Sequence, residues 1–174
     1  GQIWSQSTLP NEIEKKDFNQ RNYFEKHQKS LLETYLHQEL ATKERIIFEN
    51  DDFVVLIPFW AVWPFETMIA PKKSQKNITE MSAEQAKNFA EAISVITSTY
   101  DKLFNTSFPY SSGIHQAPTN GLENNHWHWH MSFYPPLLRS ATVKKFMVGY
   151  EMFGSPQRDI TAEIAAQRLR DLVG

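Results

Sequence analysis

Residues 126–132 constrain the fold most, because three histidines occupy every second position with large apolar residues between them. Successive side chains of a β-strand point to opposite faces, so this alternation predicts a strand. Its two faces would carry the imidazoles of His126, His128 and His130 and the apolar side chains of Trp127, Trp129 and Met131. Imidazole suits metal ligation, proton transfer and nucleophilic attack near neutral pH. The alternative is structural, with the aromatic face in the core and the imidazoles towards solvent.

The composition limits the classes of partner and site. The chain has 174 residues, enough for one domain with a proper core, and its net charge of −2 does not indicate a nucleic-acid or membrane-surface partner. It contains no cysteine, which rules out disulfides and thiolate metal sites. The longest apolar run, residues 53–65, is too short to span a bilayer, so we expect a cytoplasmic protein.

The remaining patterns predict one unit with a lead-in segment and helix over residues 1–40 and a body over residues 41–174. Ser30 with Glu33, and Ser82 with Gln85, are capping boxes at the start of helical apolar repeats. A short helix begins at Thr161. The predicted strands or extended segments are residues 45–49, 53–59, 66–70, 107–116, 126–132 and 145–151. This order favours an α+β fold, a largely antiparallel sheet covered by helix on one face.

The alternating segment also matches the histidine-triad pattern of nucleotidyl transferases and hydrolases, with Ser132 as the weak position. Longer blocks resemble the galactose-1-phosphate uridylyltransferase family. They are residues 1–4, 63–67, 107–111, 135–152 and 157–159. The resemblance covers nearly the whole chain and corresponds to the second of two histidine-triad-like repeats, with the segment before it. It implies a histidine-triad-like antiparallel half-barrel with a long helix packed on it.

The resemblance also implies an activity for the whole enzyme, which would exchange UMP between UDP-glucose and galactose 1-phosphate through a uridylyl-histidine. The nucleophile belongs to a His-Pro-His motif directly before the residues that match Gly1 and Gln2. The chain opens without an initiator methionine, which indicates a cut through a longer protein. We therefore expect the nucleophile, the uridine-binding residues and a cysteine/histidine zinc site to lie outside this chain, and the isolated chain to be inactive. Gln2 would contact the uridylyl phosphate.

The family's hexose 1-phosphate contacts fall near the C-terminal end. They match Lys145, Phe146, Val148, Tyr150, Glu151 and Gln157. A lysine suits a phosphate as a point charge, and a carboxylate with an amide suits sugar hydroxyls. The alternative is an amphipathic strand over residues 145–151. In the family this site completes the active site of the partner subunit, which implies a homodimer.

The resemblance fails at the family's second metal site, which holds iron or zinc through a glutamate and three histidines. His115 and His130 match two of these ligands, but Lys16 stands at the glutamate position and Ser132 at the last histidine position. A protonated lysine is no ligand and repels a divalent ion, and two ligands are too few for a closed structural site. We expect the metal to be absent or weakly held.

At His128 the chain instead has an additional histidine, because the family usually has a glutamine at this middle position of the pattern. It could join His115 and His130 in a shifted metal site, act as a nucleophile, or be a polar residue satisfied by water or a neighbour. Two further functions remain open besides the uridylyltransferase. They are a stand-alone histidine-triad nucleotidyl hydrolase or transferase using His128, and a non-catalytic sugar-phosphate-binding or oligomerisation module.

Overall fold

A five-stranded antiparallel sheet organises the fold in the computed structural model, which describes residues 7–135 and 160–174. The helices are α1 (Asn11–His27), α2 (Leu31–Thr42), α3 (Ala83–Phe104) and α4 (Ala162–Arg170), and a 3₁₀ turn covers Ile78–Glu80. The strands are β1 (Ile46–Glu49), β2 (Phe53–Leu56), β3 (Thr67–Pro71), β4 (Ser111–His115) and β5 (His130–Tyr134). Their order is β1-β2-β3-β5-β4, and every neighbouring pair is antiparallel. The α+β prediction is confirmed.

Local hydrogen bonds explain why the helices begin where they do. The Ser82 hydroxyl accepts from the Gln85 amide at 3.1 Å, and the Gln85 side chain accepts from the Ser82 amide at 3.0 Å, which is a complete capping box. At α2 only half of the predicted box forms. Ser30 Oγ accepts from the Glu33 amide at 3.3 Å, whereas the Glu33 carboxylate accepts from the amide of Ser74. The bonds from the Gln85 and Glu33 amides satisfy backbone donors that the first helical turn would leave unpaired.

Helices cover both faces of the sheet, so the prediction of cover on one face is wrong. The side chains of β2 are all buried and alternate between two clusters. Val54 and Leu56 pack with Leu36 of α2, whereas Phe53 and Val55 belong to the cluster that includes α3 and α4. An unbroken apolar run is typical of a strand buried on both faces, which is what residues 53–57 contain.

The histidine segment, defined here as residues 126–130, is a strand only from His130 onward, which corrects the prediction for residues 126–129. The amide of Trp127 donates to the Asn124 carbonyl at 3.0 Å, and that of Trp129 donates to the Gln75 carbonyl at 2.9 Å. These bonds replace a β-ladder. All five residues are buried, so the structural alternative in which the imidazoles face solvent is wrong.

Two register pairs position the end of the segment. His130 of β5 lies opposite His115 of β4, and Met131 lies opposite both Ile114 and Ile69. The pairing brings two histidines that are distant in sequence to adjacent positions at one end of the sheet. Within the described part of the chain, no helix is both long and apolar enough to cross a membrane.

Candidate functional site

One face of α1 lies over the histidine segment. Lys16, Asp17 and Gln20 project from adjacent positions or one turn apart, so they share that face. Each of the three side chains contacts a different residue of the histidine segment. The partners are His130 Nε2 for Lys16 Nζ (3.3 Å), His126 Nε2 for Asp17 Oδ1 (2.7 Å) and the His128 amide for Gln20 Oε1 (3.3 Å). Polar contacts of defined direction therefore hold the helix over the segment.

Asp17 collects three hydrogen bonds. Its Oδ1 accepts from His126 Nε2 at 2.7 Å and from the Trp127 indole at 2.6 Å, and its Oδ2 accepts from Arg21 at 2.9 Å. Burial acts to raise the pKa of this carboxyl, but the hydrogen bonds from His126, Trp127 and Arg21 outweigh it and lower the pKa. Asp17 is therefore an ionised acceptor that anchors α1 to the start of the segment.

His128 lies in the interior, with both ring nitrogens next to polar partners. Its Nε2 is 2.8 Å from the Pro71 carbonyl, which can only accept, so Nε2 carries the hydrogen; Nδ1 faces the Ser30 hydroxyl at 3.4 Å. Burial lowers the pKa of His128 to about 4, against the opposing effects of the Pro71 carbonyl and the Glu33 charge. The side chain is fully buried. This geometry favours a polar residue satisfied by its neighbours and gives no support to a nucleophile.

His115 and His130 form a stacked pair beside Lys16. Their ring centroids are 5.2 Å apart and the rings are inclined by 12°. The Lys16 amino group offers only hydrogens, so His130 Nε2 accepts, and His130 Nδ1 then donates to the His128 carbonyl at 3.3 Å. His115 Nδ1 is buried without a hydrogen-bond partner among the described residues.

Burial and charge keep both imidazoles neutral. Burial, and then the Lys16 charge, lower the pKa of His115 to about 4. Burial lowers the pKa of His130 well below its ordinary value, and the charge of Lys16 lowers it further. Burial also lowers the pKa of Lys16, although the carboxylates of Glu66 and Glu12 oppose it. The cluster is thus an amine next to two neutral imidazoles.

The residues present do not fit the metal that the family resemblance implies. The Lys16 amino group, 3.3 Å from His130 Nε2, takes up that nitrogen's lone pair. Ser132 is buried on β5 opposite Gly113 and supplies no imidazole. Across residues 7–135 and 160–174, no group of three or more His, Cys, Asp or Glu side chains is placed to hold a metal ion. The hypothesis that His128 completes a shifted site with His115 and His130 therefore finds no support.

The predicted substrate contacts lie outside the described residues. This applies to Gln2 and to the hexose 1-phosphate set of Lys145, Phe146, Val148, Tyr150, Glu151 and Gln157. The predicted strand over residues 145–151 lies there as well. Of the proposed site residues, the structure brings together His115, His130 and Lys16, with Ser132 on the same strand as His130.

Sequence reasoning missed the residues that organise this region. Asp17 and Gln20 were not singled out, and Ser30 was recognised only as a helix cap although its hydroxyl also faces His128. One signal was available. The polar residues Lys16, Asp17 and Gln20 are spaced so that they share one face of a helix. In the structure, Gln20 is the one buried residue of α1. Because its one buried residue is a glutamine, α1 depends on polar partners to hold it in place.

The fold is that of the histidine-triad-like proteins. A histidine-triad-like protein from Bartonella henselae, solved with an unknown ligand, aligns with 83% of this chain and 99% of its own at a TM-score of 0.52 and 16% identity. A solved uridylyltransferase aligns more fully, over 95% of this chain and 52% of its own, at a TM-score of 0.83 and 25% identity.

Sequence comparison narrows this class to one family. A sequence profile described as galactose-1-phosphate uridyl transferase, C-terminal domain, matches residues 15–174. The galactose-1-phosphate uridylyltransferase of Haemophilus influenzae is 56% identical over 172 residues, which are 99% of this chain and 49% of that protein. The chain belongs to the galactose-1-phosphate uridylyltransferase family and matches its C-terminal domain. It spans about half the length of the curated relatives it matches.

Proposed function

We propose that this chain is the part of a UDP-glucose–hexose-1-phosphate uridylyltransferase that binds the hexose 1-phosphate. The observation that carries the proposal is the C-terminal profile match over residues 15–174, together with 56% identity to a full-length family member. The substrates would be UDP-glucose and galactose 1-phosphate. Lys145 would pair with the phosphate, Tyr150, Glu151 and Gln157 would bind the sugar hydroxyls, and Phe146 and Val148 would line the site.

The reaction of the whole enzyme would be a double displacement. An imidazole nitrogen attacks the α-phosphorus of UDP-glucose, the bond from phosphorus to the glucose 1-phosphate oxygen breaks, and a uridylyl-histidine forms. A phosphate oxygen of galactose 1-phosphate then attacks the same phosphorus, which releases the imidazole and forms UDP-galactose. Gln2 would donate a hydrogen bond to the uridylyl phosphate oxygens, where charge develops.

We further propose that the 174-residue chain does not catalyse this exchange alone. It contains no His-Pro-His sequence, and the middle histidine of its alternating segment, His128, is fully buried with both ring nitrogens next to polar partners. The proposal includes one structural unit over residues 1–174, a homodimer in which the hexose-phosphate site completes the partner's active site, and a cytoplasmic location. At most a weakly held zinc or iron ion would bind at His115 and His130.

Two measurements on the purified chain test the proposal. Titration with galactose 1-phosphate should show binding that Lys145→Met and Glu151→Gln each weaken at least about tenfold, the loss of one charged contact. Lys144→Met is the matched control and should bind as the wild type does. Equal affinity in all four proteins would contradict the assignment of the site.

The second measurement is intact mass after incubation with UDP-glucose. No uridylyl adduct and no UMP exchange are expected. An adduct that His128→Asn abolishes would instead support the stand-alone nucleotidyl hydrolase or transferase. Binding of the sugar phosphate or dimerisation without an adduct agrees equally with a non-catalytic sugar-phosphate-binding or oligomerisation module. The two are distinguished by adding the N-terminal half of a family member, which restores exchange only if this chain serves the transferase.

A further inference from the structure

The Lys16 amino group lies beside the stacked histidines His115 and His130. Its Nζ is 3.3 Å from His130 Nε2, and its charge acts on His115 as well. The negative charges that act on it come from Glu66 and Glu12. Lys16 lies on α1, whereas His115 and His130 lie opposite each other on β4 and β5. The Lys16 side chain thus joins α1 to β5, beside the histidine of β4.

We propose that Lys16 takes the structural place of a metal ion in this chain. The cluster of Lys16, His115 and His130 is a latent transition-metal site, and the Lys16 amine alone blocks it. The amine and an ion would compete for the same lone pair of His130. While the amine donates to that nitrogen, the nitrogen cannot ligate, and the positive charge repels a divalent ion. The inference is independent of the proposed uridylyl transfer, because it concerns only the residues that join α1 to the sheet.

The orphaned nitrogen of His115 supports the same conclusion. His115 Nδ1 is buried and has no hydrogen-bond partner in the described part of the chain, although buried polar atoms are nearly always paired. The ring is held parallel to that of His130 by the strand pairing, so both imidazoles are already ordered. A carboxylate from α1 would add a third protein ligand. Three protein ligands with one open position are a usual arrangement for zinc.

The Lys16→Glu variant tests whether the site is latent, with zinc chloride as the probe. The full 174-residue chain is stripped with a chelator and dialysed against zinc, and its bound zinc is measured by elemental analysis. Wild type should retain only trace zinc, and Lys16→Glu should retain stoichiometric zinc. At a hundredfold excess of zinc over its Kd, the Tm of the variant should rise by roughly 5–10 °C.

The matched control is Lys15→Glu. It makes the same charge change on the same helix, but the Lys15 side chain is 71% exposed and pairs with Glu12 at the surface. It should retain no more zinc than the wild type. Adding His115→Asn to Lys16→Glu should abolish zinc uptake, which assigns the ion to the cluster. Stoichiometric zinc in the wild type that His115→Asn removes, or equal uptake by Lys16→Glu and Lys15→Glu, would overturn the proposal.

The structural role of the amine is tested separately, so the proposal stays falsifiable if Lys16→Glu does not fold. Lys16→Met keeps the length of the side chain and removes its donor. It should lower the Tm, and added zinc should not restore it, since the variant lacks a third ligand. Lys15→Met is the control and should melt like the wild type. If both methionine variants melt alike, Lys16 does not join α1 to the sheet and the proposal fails.

Discussion

Replacing Asp17 should detach α1 from the histidine segment. The carboxylate accepts from two buried donors, His126 Nε2 at 2.7 Å and the Trp127 indole at 2.6 Å. A hydrogen bond to a charged group contributes about 1.5–3 kcal/mol, and the partly exposed ion pair with Arg21 adds about 0.5 kcal/mol. Asp17→Ala should therefore reduce the free energy of unfolding by about 3.5–6.5 kcal/mol. For a chain of this length that lowers the Tm by roughly 7–26 °C.

The pH dependence gives a second measure of the same contact. The pKa of Asp17 is lowered in the folded state relative to its ordinary value of 3.8. The stabilisation is thus fully present above the unfolded value and is lost as the pH falls through the folded value. The difference in unfolding free energy between wild type and Asp17→Ala, measured by urea titration, should be constant from neutral pH down to about 5 and should decrease below about 4.

Two variants make the Asp17 experiment decisive. Asp17→Asn keeps one acceptor oxygen but loses the charge, so it should cost about half as much as Asp17→Ala. Glu14→Ala, at an exposed position of the same helix, should change the Tm by no more than about 1–2 °C. If Asp17→Ala melts like Glu14→Ala, the hydrogen bonds to His126 and Trp127 do not hold the helix, and the reasoning is refuted.

Three further predictions concern stability. Burial lowers the pKa of His128 from 6.5 to about 4, so the unfolded state binds a proton at higher pH than the folded state does. In urea titrations the free energy of unfolding should therefore fall by about 2–3 kcal/mol between pH 7 and pH 4. His128→Asn should remove that part of the pH dependence. Tyr100→Phe should cost about 1–3 kcal/mol, because it removes the buried hydroxyl that donates to the Phe65 carbonyl at 2.7 Å. Tyr110→Phe, at an exposed position, should have no effect on the thermal melt. Ser82→Ala should cost about 1 kcal/mol by breaking the capping box, measured by chemical denaturation.

The elements that the sequence predicted well are those with local causes. The capping box of Ser82 and Gln85 depends on atoms three residues apart, and it marks the start of α3. The turn between β1 and β2 is also local, since Asn50 Oδ1 accepts from the amides of Asp52 and Phe53. No tertiary contact is needed to form either. Sequence patterns therefore located α3 and the first hairpin within a few residues.

The histidine segment could not be predicted because its partners are distant in sequence. Trp129 donates through its backbone to Gln75, and His128 lies between Pro71 and Ser30. These contacts replace the ladder that strict alternation suggests, and they bury both sides of the segment. Periodicity reports which faces differ in polarity, but it cannot show that a polar face is covered by a helix about a hundred residues earlier.

The position of α1 was likewise beyond sequence reasoning, for the opposite reason. An amphipathic helix can be oriented from its apolar stripe, whereas the buried residue of α1 is a glutamine, Gln20. Its orientation follows from pairing donors with acceptors, and such pairing is visible only when both partners are placed. The family resemblance did identify Lys16 and His130 as related positions, which the 3.3 Å contact between them agrees with.

These contacts explain why Lys16 and the neutral histidine pair depend on each other. Lys16 can donate to His130 only if Nε2 keeps its lone pair, which requires the hydrogen on Nδ1, where the His128 carbonyl accepts it. That carbonyl is positioned by the irregular backbone of residues 126–129, and this backbone is held by Asp17 and Gln20 from α1. The helix that carries Lys16 thus also fixes the tautomer that receives it. A lysine at position 16 therefore fits this site only when the other polar contacts are also present. Loss of Asp17 should consequently weaken the contact between Lys16 and His130 as well.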